Sequence, residues 1–457
     1  MDWYKKINFS GIPVYKAIAH GIADAVNHGE LKPNDKLPTQ RYLSAVIGCT
    51  VGTITRAYKY AEEMGLVLSI TGSGSYIQAQ SDLGFSIPDT NKKDIVNLSI
   101  NTPSLHSRAA FMSQTLQAVG DKMLYNSSIL DYQNNLGTEI HRKTLLGWYI
   151  SSGIKAEPEN VVITSGGQHG VSLALSTIMR PNDTLLTESV SYPGISPLVE
   201  RYHLKIKTIE IDEQGIVPES LDDCCRKFIP KCLFINPRIH NPTTAKMSSA
   251  RKKLIAKIAE KYKLFIIEDD ILSHHTEPST PIYNYYPKRT IYISSVSKSL
   301  APSLRVGIII SNDDLIKKIG STLKNDIWMT SPIMSEIATY WINNGIAEQL
   351  LRTDQYELAR RSSYLEEIFK SSDYVYSSGS PHVWLYLPNN WTPRKFSESM
   401  KNEGVLIKSS DDFILSNKNM INAVRVSLTS PSESNLVKGA LLQIAQKMKT
   451  TNKCAKI

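Results

Sequence analysis

The sequence contains no apolar run of the roughly eighteen residues that a membrane-crossing helix needs, so no transmembrane span is expected. Its start, Met1-Asp-Trp-Tyr-Lys-Lys6, has no apolar signal region. Cysteine is sparse: Cys49, Cys224, Cys225, Cys232 and Cys454 make five, an odd number without Cys-x-x-Cys spacing. That argues against a disulfide framework or a metal site and fits reduced cytoplasmic thiols. Internal repeats and low-complexity tracts are also missing. What remains is ordinary globular composition, 41% hydrophobic and 21% charged over 457 residues, enough for two or three domains. The net charge of +9 is compatible with a polyanionic partner but does not require one.

Helical patterning dominates the first part. Pro13–Val26 places Val14, Ile18, Ile22 and Val26 at helical spacing, and His28-Gly29 ends the helix. Leu31–Leu37 reads as an extended turn. Thr39 caps a short helix through Ile47, closed by Gly48, and Thr50 caps a third to Met64, stopped by Gly65. Leu66–Ile70 and Ser75–Ala79 read as strands around the tight turn Thr71-Gly-Ser-Gly74. Three helices and a hairpin predict a winged helix-turn-helix over residues 1–79. Thr50–Met64 would enter the DNA major groove and the hairpin would form the wing. Eight lysines and arginines against six acids give this segment little positive charge, which favours a dimer using two half-sites. A winged helix used for protein contacts is the other reading.

Residues 80–94 are polar and broken by Gly and Pro, which predicts a linker. From 95 to 457, short apolar runs alternate with helical stretches. The runs include Val161–Thr164, Thr184–Thr187, Leu204–Ile211, Cys232–Ile235, Leu264–Ile267, Thr290–Ile293 and Val306–Ile310. The pattern predicts an α/β fold with a mostly parallel sheet and ligands at the strand C-terminal ends. A larger part runs to about residue 345 and a smaller α+β part covers about 346–450, with linking helices over Asn325–Asn343 and Leu350–Phe369.

The chemistry gathers at those strand ends. Lys298 follows the run from Tyr292, with Ser295 and Ser297 before it and Arg305 seven positions on. An amine, two hydroxyls and a guanidinium on one strand–loop unit suit an aldehyde that carries a phosphate. A surface lysine beside a serine-rich loop fits the same residues. Ser165-Gly-Gly167-Gln168-His-Gly170 offers free N–H groups as a phosphate seat, or makes a plain turn. Tyr192 can lie on a flat cofactor or fill a core. Asn241, in Asn-Pro-Thr-Thr, can meet a phenolic oxygen or make an Asn-Pro turn. Asp269, in Ile-Ile-Glu-Asp-Asp270, is costly at a buried strand end unless a cation such as a protonated pyridine pairs with it. Paired acids can also bind magnesium, but no phosphate-loop lysine motif accompanies them, and no metal is expected.

Two resemblances connect these residues. Leu37-Pro-Thr39-Gln-Arg41-Tyr-Leu, Thr50-Val-Gly-Thr53-Ile-Thr-Arg56-Ala-Tyr58, Gly65-Leu-Val and Gly72-Ser-Gly74 resemble the GntR-type DNA-binding domain. That implies DNA contacts from Thr39, Arg41, Thr50, Thr53 and Arg56, with Gly72 and Gly74 in the wing. Val51 stands where the family commonly has arginine, and valine can pack on a thymine methyl. Over about 95–445, the Ser-x-Ser-Lys298 to Arg305 unit, Asn241-Pro-Thr, Glu-Asp269-Asp and Arg425 resemble a class I/II, fold-type I aminotransferase. The resemblance implies pyridoxal 5'-phosphate (PLP) as a Schiff base on Lys298. Asp269 would hold its ring nitrogen and Asn241 its ring oxygen, with Tyr192 stacked on the ring. Gly167, Gln168, Ser295, Ser297 and Arg305 would hold its phosphate, reached also by Tyr132 of the other subunit. Arg425 would receive a substrate or effector carboxylate.

A GntR-type reader joined to such a domain resembles the MocR subfamily of regulators. This implies a cytoplasmic homodimer with swapped reader domains, a double-stranded DNA operator, and an amine or amino-acid effector. The effector would be sensed as an external aldimine that changes operator binding. Two departures bear on catalysis. Leu272 replaces a tyrosine that donates to the ring oxygen, and His240-Asn-Pro-Thr-Thr244 replaces Gln-Asn-Pro-Thr-Gly. Losing a donor raises the imine pKa and loosens cofactor positioning. A regulator is therefore expected rather than an enzyme, with a functional aminotransferase as the alternative. His274-His275 reads as a surface loop pair.

Overall fold

The computed structural model describes all residues except 1, 2, 8, 10, 28, 29, 32–34, 65, 71–73, 78–94, 371, 372, 416–420 and 450–457. The expected linker, Gly72, and the helix stops at His28-Gly29 and Gly65 therefore lie wholly or almost wholly outside the described residues. The chain divides into two compact units, Met1–Ser86 and Ile87–Ile457.

The first unit holds α1 (Val14–Asn27), α2 (Gln40–Ile47) and α3 (Val51–Glu63), followed by β1 (Val67–Ile70) and β2 (Gly74–Ile77). Local chemistry sets the helix limits. The Thr39 side chain accepts from the Tyr42 N–H, and Gly48 closes α2 in the left-handed region at φ 77°. The Thr50 hydroxyl accepts from the Thr53 N–H at 3.2 Å and starts α3. The apolar stripe of α1 (Ile18, Ile22) meets Ile54 and Ala57 of α3, and Leu43 and Trp3 complete a buried core. β1 and β2 pair antiparallel, Val67 opposite Ile77. This is the winged helix-turn-helix arrangement.

In the second unit, α4 (His106–Tyr125) precedes a seven-stranded sheet. Its strands are β3 (Val161–Thr164), β4 (Thr184–Glu188), β5 (Lys205–Ile209), β6 (Cys232–Ile235), β7 (Phe265–Asp269), β8 (Thr290–Ser295) and β9 (Gly307–Ile310). They lie in the order β3-β9-β8-β7-β6-β4-β5. All neighbours run parallel except β9, which is antiparallel to both β8 and β3. The strands are apolar on both faces because helices cover both, and two large clusters of Val, Ile and Leu pack there. α5 (Gly167–Ile178) follows β3, and the long α6 (Ile346–Ile368) leads to a four-stranded sheet. That sheet contains β10 (Tyr374–Val375), β11 (His382–Tyr386), β12 (Lys408–Ser409) and β13 (Ala423–Ser427), in the order β10-β11-β13-β12.

One expected helix is divided. The stretch Asn325–Asn343 is two helices, Asp313–Ile327 and Pro332–Asn343. Trp328 sits between them at φ 66°, where no α-helix continues, and Pro332 opens the second. Among the described residues no helix is long and apolar enough to cross a membrane, and no three His, Cys, Asp or Glu side chains cluster as metal ligands.

Ile22 is fully buried between α1 and α3. Ile22→Ala should destabilise the first unit by about 2–5 kcal/mol. Hydrogen exchange at the α3 amides checks this: they should lose protection while β7 and β8 keep theirs.

Candidate cofactor and ligand site

Sheet register brings the candidate residues to one edge. Asp269 ends β7 and lies beside Ile293 of β8. Ser295 ends β8 opposite Gly307, which in turn lies opposite Thr164 at the end of β3. Because β9 runs backwards, its N-terminal end reaches this edge and carries Arg305 with it. The crowding requires glycine. A Cβ on Gly307 would fall 2.7 Å from the Gly166 carbonyl carbon, and one on Gly166 (φ 87°) would run into the Arg305 guanidinium.

The three consecutive acids have different surroundings. Glu268 accepts from the Ile282 and Tyr283 N–H groups at 2.8 Å. Asp270 takes the Arg238 Nε at 2.9 Å on both oxygens, and the Tyr292 hydroxyl at 3.1 Å. Asp269 is buried, and its Oδ1 has no hydrogen-bond partner. Burial pushes its carboxyl up to about 7, despite a hydrogen bond from Asn236. This is the one acid of the three left to meet a ligand.

Lys298 lies three residues beyond β8 and donates to the Asn101 carbonyl at 2.7 Å. Burial, with the Arg425 and Arg305 charges added, brings its amine down to about 8 against the opposing pull of Asp269. Ser295 and Ser297 share a hydroxyl contact at 2.9 Å, and Arg305 Nη1 donates weakly to Ser297 Oγ at 3.4 Å. Arg305 Nη2 donates to the Ser165 carbonyl just before Gly167, the first residue of α5. Two hydroxyls, a guanidinium and a helix N-terminus therefore form one anion-binding cradle. Gln168 beside it donates to the Gly194 carbonyl at 2.9 Å.

Tyr192 is half-buried, and burial followed by the Asp269 charge raises its phenol well above the usual range. Arg425, on β13, donates from Nη1 to Asn241 Oδ1 at 2.9 Å and from Nη2 to the Ser99 carbonyl, over the face of Phe413. Its Nε is buried without a partner, and burial brings its guanidinium down to about 10. Asn241 thus points its oxygen at Arg425, and its NH2 is the end free to donate to a ring oxygen. Tyr132 stands apart, 76% exposed with its ring 5.9 Å from Trp328.

Sequence reasoning missed Asn101, Ser99 and Asn236, which hold Lys298, Arg425 and Asp269 by side-chain or backbone contacts. They carry no motif, although the polar Ser99 and Asn101 within an apolar run were a weak signal. The expectation that His274-His275 forms a surface loop pair is corrected. His274 is buried, stacked 4.5 Å from Trp148 and bonded to its carbonyl at 3.0 Å, and His275 is half-buried. Burial brings the two imidazoles down to about 4 and 3. Leu272 is buried and lines the cleft beside Lys298.

These residues fit PLP. An orphaned buried carboxylate oxygen suits a protonated ring nitrogen, and the cradle suits a phosphate. An amine held partly neutral suits an aldehyde. When bound, PLP supplies an electrophilic carbon joined to an electron-withdrawing ring.

On the first unit, Thr39, Arg41, Thr50, Arg56 and Gly74 are exposed and Thr53 half-exposed. The Thr50 and Thr53 hydroxyls lie 2.9 Å apart, and Arg56 stacks 4.1 Å from the Tyr15 ring centroid. Val51 is exposed at the start of α3.

Fold and site define a fold-type I, aminotransferase-like unit joined to a winged helix. The chain belongs to the Aminotransferase class I and II family, which matches residues 93–439, and residues 14–77 match the gntR family of bacterial regulatory proteins. Together they are the GntR/MocR-type regulator architecture. The uncharacterized HTH-type transcriptional regulator YdeF of Bacillus subtilis is 26% identical over 441 residues, 94% of this chain and 93% of that protein. NorG of Staphylococcus aureus, also an HTH-type transcriptional regulator, is 25% identical over 90% of this chain and 98% of its own. Among solved structures, a kynurenine aminotransferase from Pyrococcus horikoshii superposes with a TM-score of 0.71 at 21% identity, covering 78% of this chain and 91% of its own. LysN, an α-aminoadipate aminotransferase from Thermus thermophilus, gives 0.69 at 20% identity, covering 78% and 92%.

Two predictions follow from the charge states. A lysine with a pKa of about 8 is about one-tenth neutral at pH 7. Borohydride-trapped labelling of Lys298 by PLP should therefore speed up with pH and level off above about 8. A rise continuing to pH 10 would contradict the depressed amine. Asp269 has its folded-state pKa raised, so its contribution to stability is present at low pH and is lost as pH rises through about 7. Cofactor-free Asp269→Asn should then melt no lower than wild type at pH 8, yet bind PLP about 10- to 100-fold more weakly by absorbance titration.

Proposed function

We propose that this protein is a PLP-dependent transcriptional regulator. Its winged helix binds operator DNA, and an amine or amino acid taken up beside Lys298 changes that binding. The observation that carries the reading is the buried, unpartnered Asp269 oxygen close enough to Lys298 to act on its charge, in a chain that also bears a winged helix with an exposed recognition face. YdeF and NorG, both named as transcriptional regulators, match along nearly their whole lengths and support it.

In this reading the working form is a cytoplasmic homodimer with swapped reader domains. Leu124, Tyr125, Leu130 and Trp328 are exposed apolar side chains that a partner subunit would cover. Tyr132 lies beside Trp328 and would reach the partner's phosphate cradle. A ligand shifts operator binding only if its affinity differs between the DNA-competent and incompetent arrangements. Leu272 offers no hydroxyl to the cofactor, which favours sensing over turnover. A working aminotransferase is the second reading, favoured by the presence of Lys298, Asp269 and Arg425 together.

Operator fragments titrated with the PLP-loaded protein should show an amine-dependent affinity change of at least fivefold, absent in Lys298→Ala. An unresponsive wild type rules out the sensing role. In single-turnover absorbance, rapid conversion to the pyridoxamine form with release of a keto acid would favour the enzyme instead.

A further inference from the structure

The Lys298 amine rests on one contact between two distant segments. It stands just beyond β8 and donates at 2.7 Å to the carbonyl of Asn101, 197 residues earlier in the chain. The same two segments are held together a second time, by a single side chain that no motif marks.

That side chain is Arg108, in the first turn of α4 and only 3% exposed. Its Nε donates to the Leu300 carbonyl, and its Nη2 donates to the Ser299 carbonyl at 3.0 Å. Its Nη1 donates to the Ser104 carbonyl. Asp354 of α6 accepts from Nη1 at 3.3 Å and from Nη2 at 2.5 Å. A guanidinium has five N–H groups, and these five contacts use them all. Ser299 and Leu300 are the two residues after Lys298, and Ser104 is three residues after Asn101. One buried fork therefore grips the chain just past the donor and just past the acceptor. Because the fork is planar it fixes angles as well as distances, and the carboxylate of Asp354 fixes the plane. With a counter-ion and every N–H taken, Arg108 has nothing left for a ligand and can act only through its neighbours.

We propose that Arg108 is a positioning residue for Lys298, which it aims at the cofactor carbon by holding the Ser299, Leu300 and Ser104 carbonyls, with Asp354 keeping the guanidinium in place. The proposal rests on the reading of the site as a PLP site. In the step concerned, the neutral amine adds to the aldehyde carbon and the carbonyl oxygen leaves as water. The approach of one nitrogen to one carbon sets its rate, and a misplacement of about 1 Å costs on the order of a hundredfold. Binding of the phosphate and the ring nitrogen uses Ser295, Ser297, Arg305 and Asp269, and the Arg108 hydrogen bonds go to none of these. Loss of Arg108 should thus separate covalent capture from non-covalent binding.

The test uses the full-length protein, cleared of cofactor, as wild type, Arg108→Met and Arg108→Lys. Covalent capture is read as the rate of borohydride-trapped labelling of Lys298 by PLP. Non-covalent binding is read as the affinity for pyridoxamine 5'-phosphate, which carries an amine in place of the aldehyde and forms no imine with a lysine. In Arg108→Met the labelling rate should fall about tenfold or more, while the pyridoxamine 5'-phosphate affinity stays within about threefold of wild type. The pH at which labelling levels off, about 8 in wild type, should move up as the amine escapes its buried seat. Arg108→Lys keeps a charge for Asp354 but presents three donors from one atom, so it should melt closer to wild type and still label slowly. It also carries the comparison if Arg108→Met does not fold. Labelling at the wild-type rate in a folded variant overturns the inference. So does a parallel loss of labelling and pyridoxamine 5'-phosphate binding, which marks a brace of the whole site. A wild-type protein that PLP does not label would instead remove the PLP reading itself, and the inference with it.

Discussion

A carboxylate buried with one oxygen unpartnered is the constraint on which the second unit depends. Strand β7 ends in three acids, and the fold satisfies two of them completely. Backbone N–H groups take Glu268, and Arg238 with Tyr292 takes Asp270. Asp269 is left with burial and little compensation, and its carboxyl titrates near neutrality as a result. Lys298 is the complementary case, a buried amine held below its usual range by the same burial and by two nearby guanidiniums. Neither group is at its lowest free energy alone. A partner that brought a cationic ring nitrogen to one and an aldehyde to the other would suit both.

The cradle follows from topology rather than from any single motif. A sheet with every strand parallel would send Arg305 and Gly307 to the opposite edge from Ser295 and Thr164. Reversing β9 brings the guanidinium to the C-terminal edge, where Gly166, Gly167 and the two serines already lie. The glycines at 166 and 307 are needed because the Arg305 side chain and the β3–α5 turn pass within a carbon's width of one another. Charge and backbone are packed together there, so the anion-binding groups are organised before any anion arrives.

What could be read from the sequence was what local chemistry encodes. Thr39, Gly48 and Thr50 mark helix ends by hydrogen bonds within three or four residues, and the structure has them as caps. The β-branched runs and the Ser-x-Ser-Lys spacing are equally local. The direction of β9 was not legible, because its residues read the same whichever way the strand runs. Nor were Asn101 and Ser99, whose backbone carbonyls meet side chains roughly two hundred and three hundred residues away. His274 failed for a related reason. Polar residues after a strand usually mean a loop, and nothing local shows that Trp148 supplies both a stacking face and an acceptor. The helix break at Trp328 was hidden because tryptophan carries no turn propensity, although Pro332 four residues later was the available warning.

Arg425 links site occupancy to the shape of the second unit. It stands on the small sheet, yet its two terminal nitrogens are spent on Asn241 and Ser99 of the larger part. The guanidinium keeps further N–H donors, the unpartnered Nε among them, so a ligand carboxylate can join Asn241 and Ser99 at Arg425. The arginine would thereby gain an anion in a desolvated setting and satisfy its orphaned Nε. A carboxylate bound there would add a contact to a residue that already ties the small sheet to the larger part. A contact that differs between the free and bound states is what a sensor requires, because a ligand that changed no contact between states would shift no equilibrium however tightly it bound.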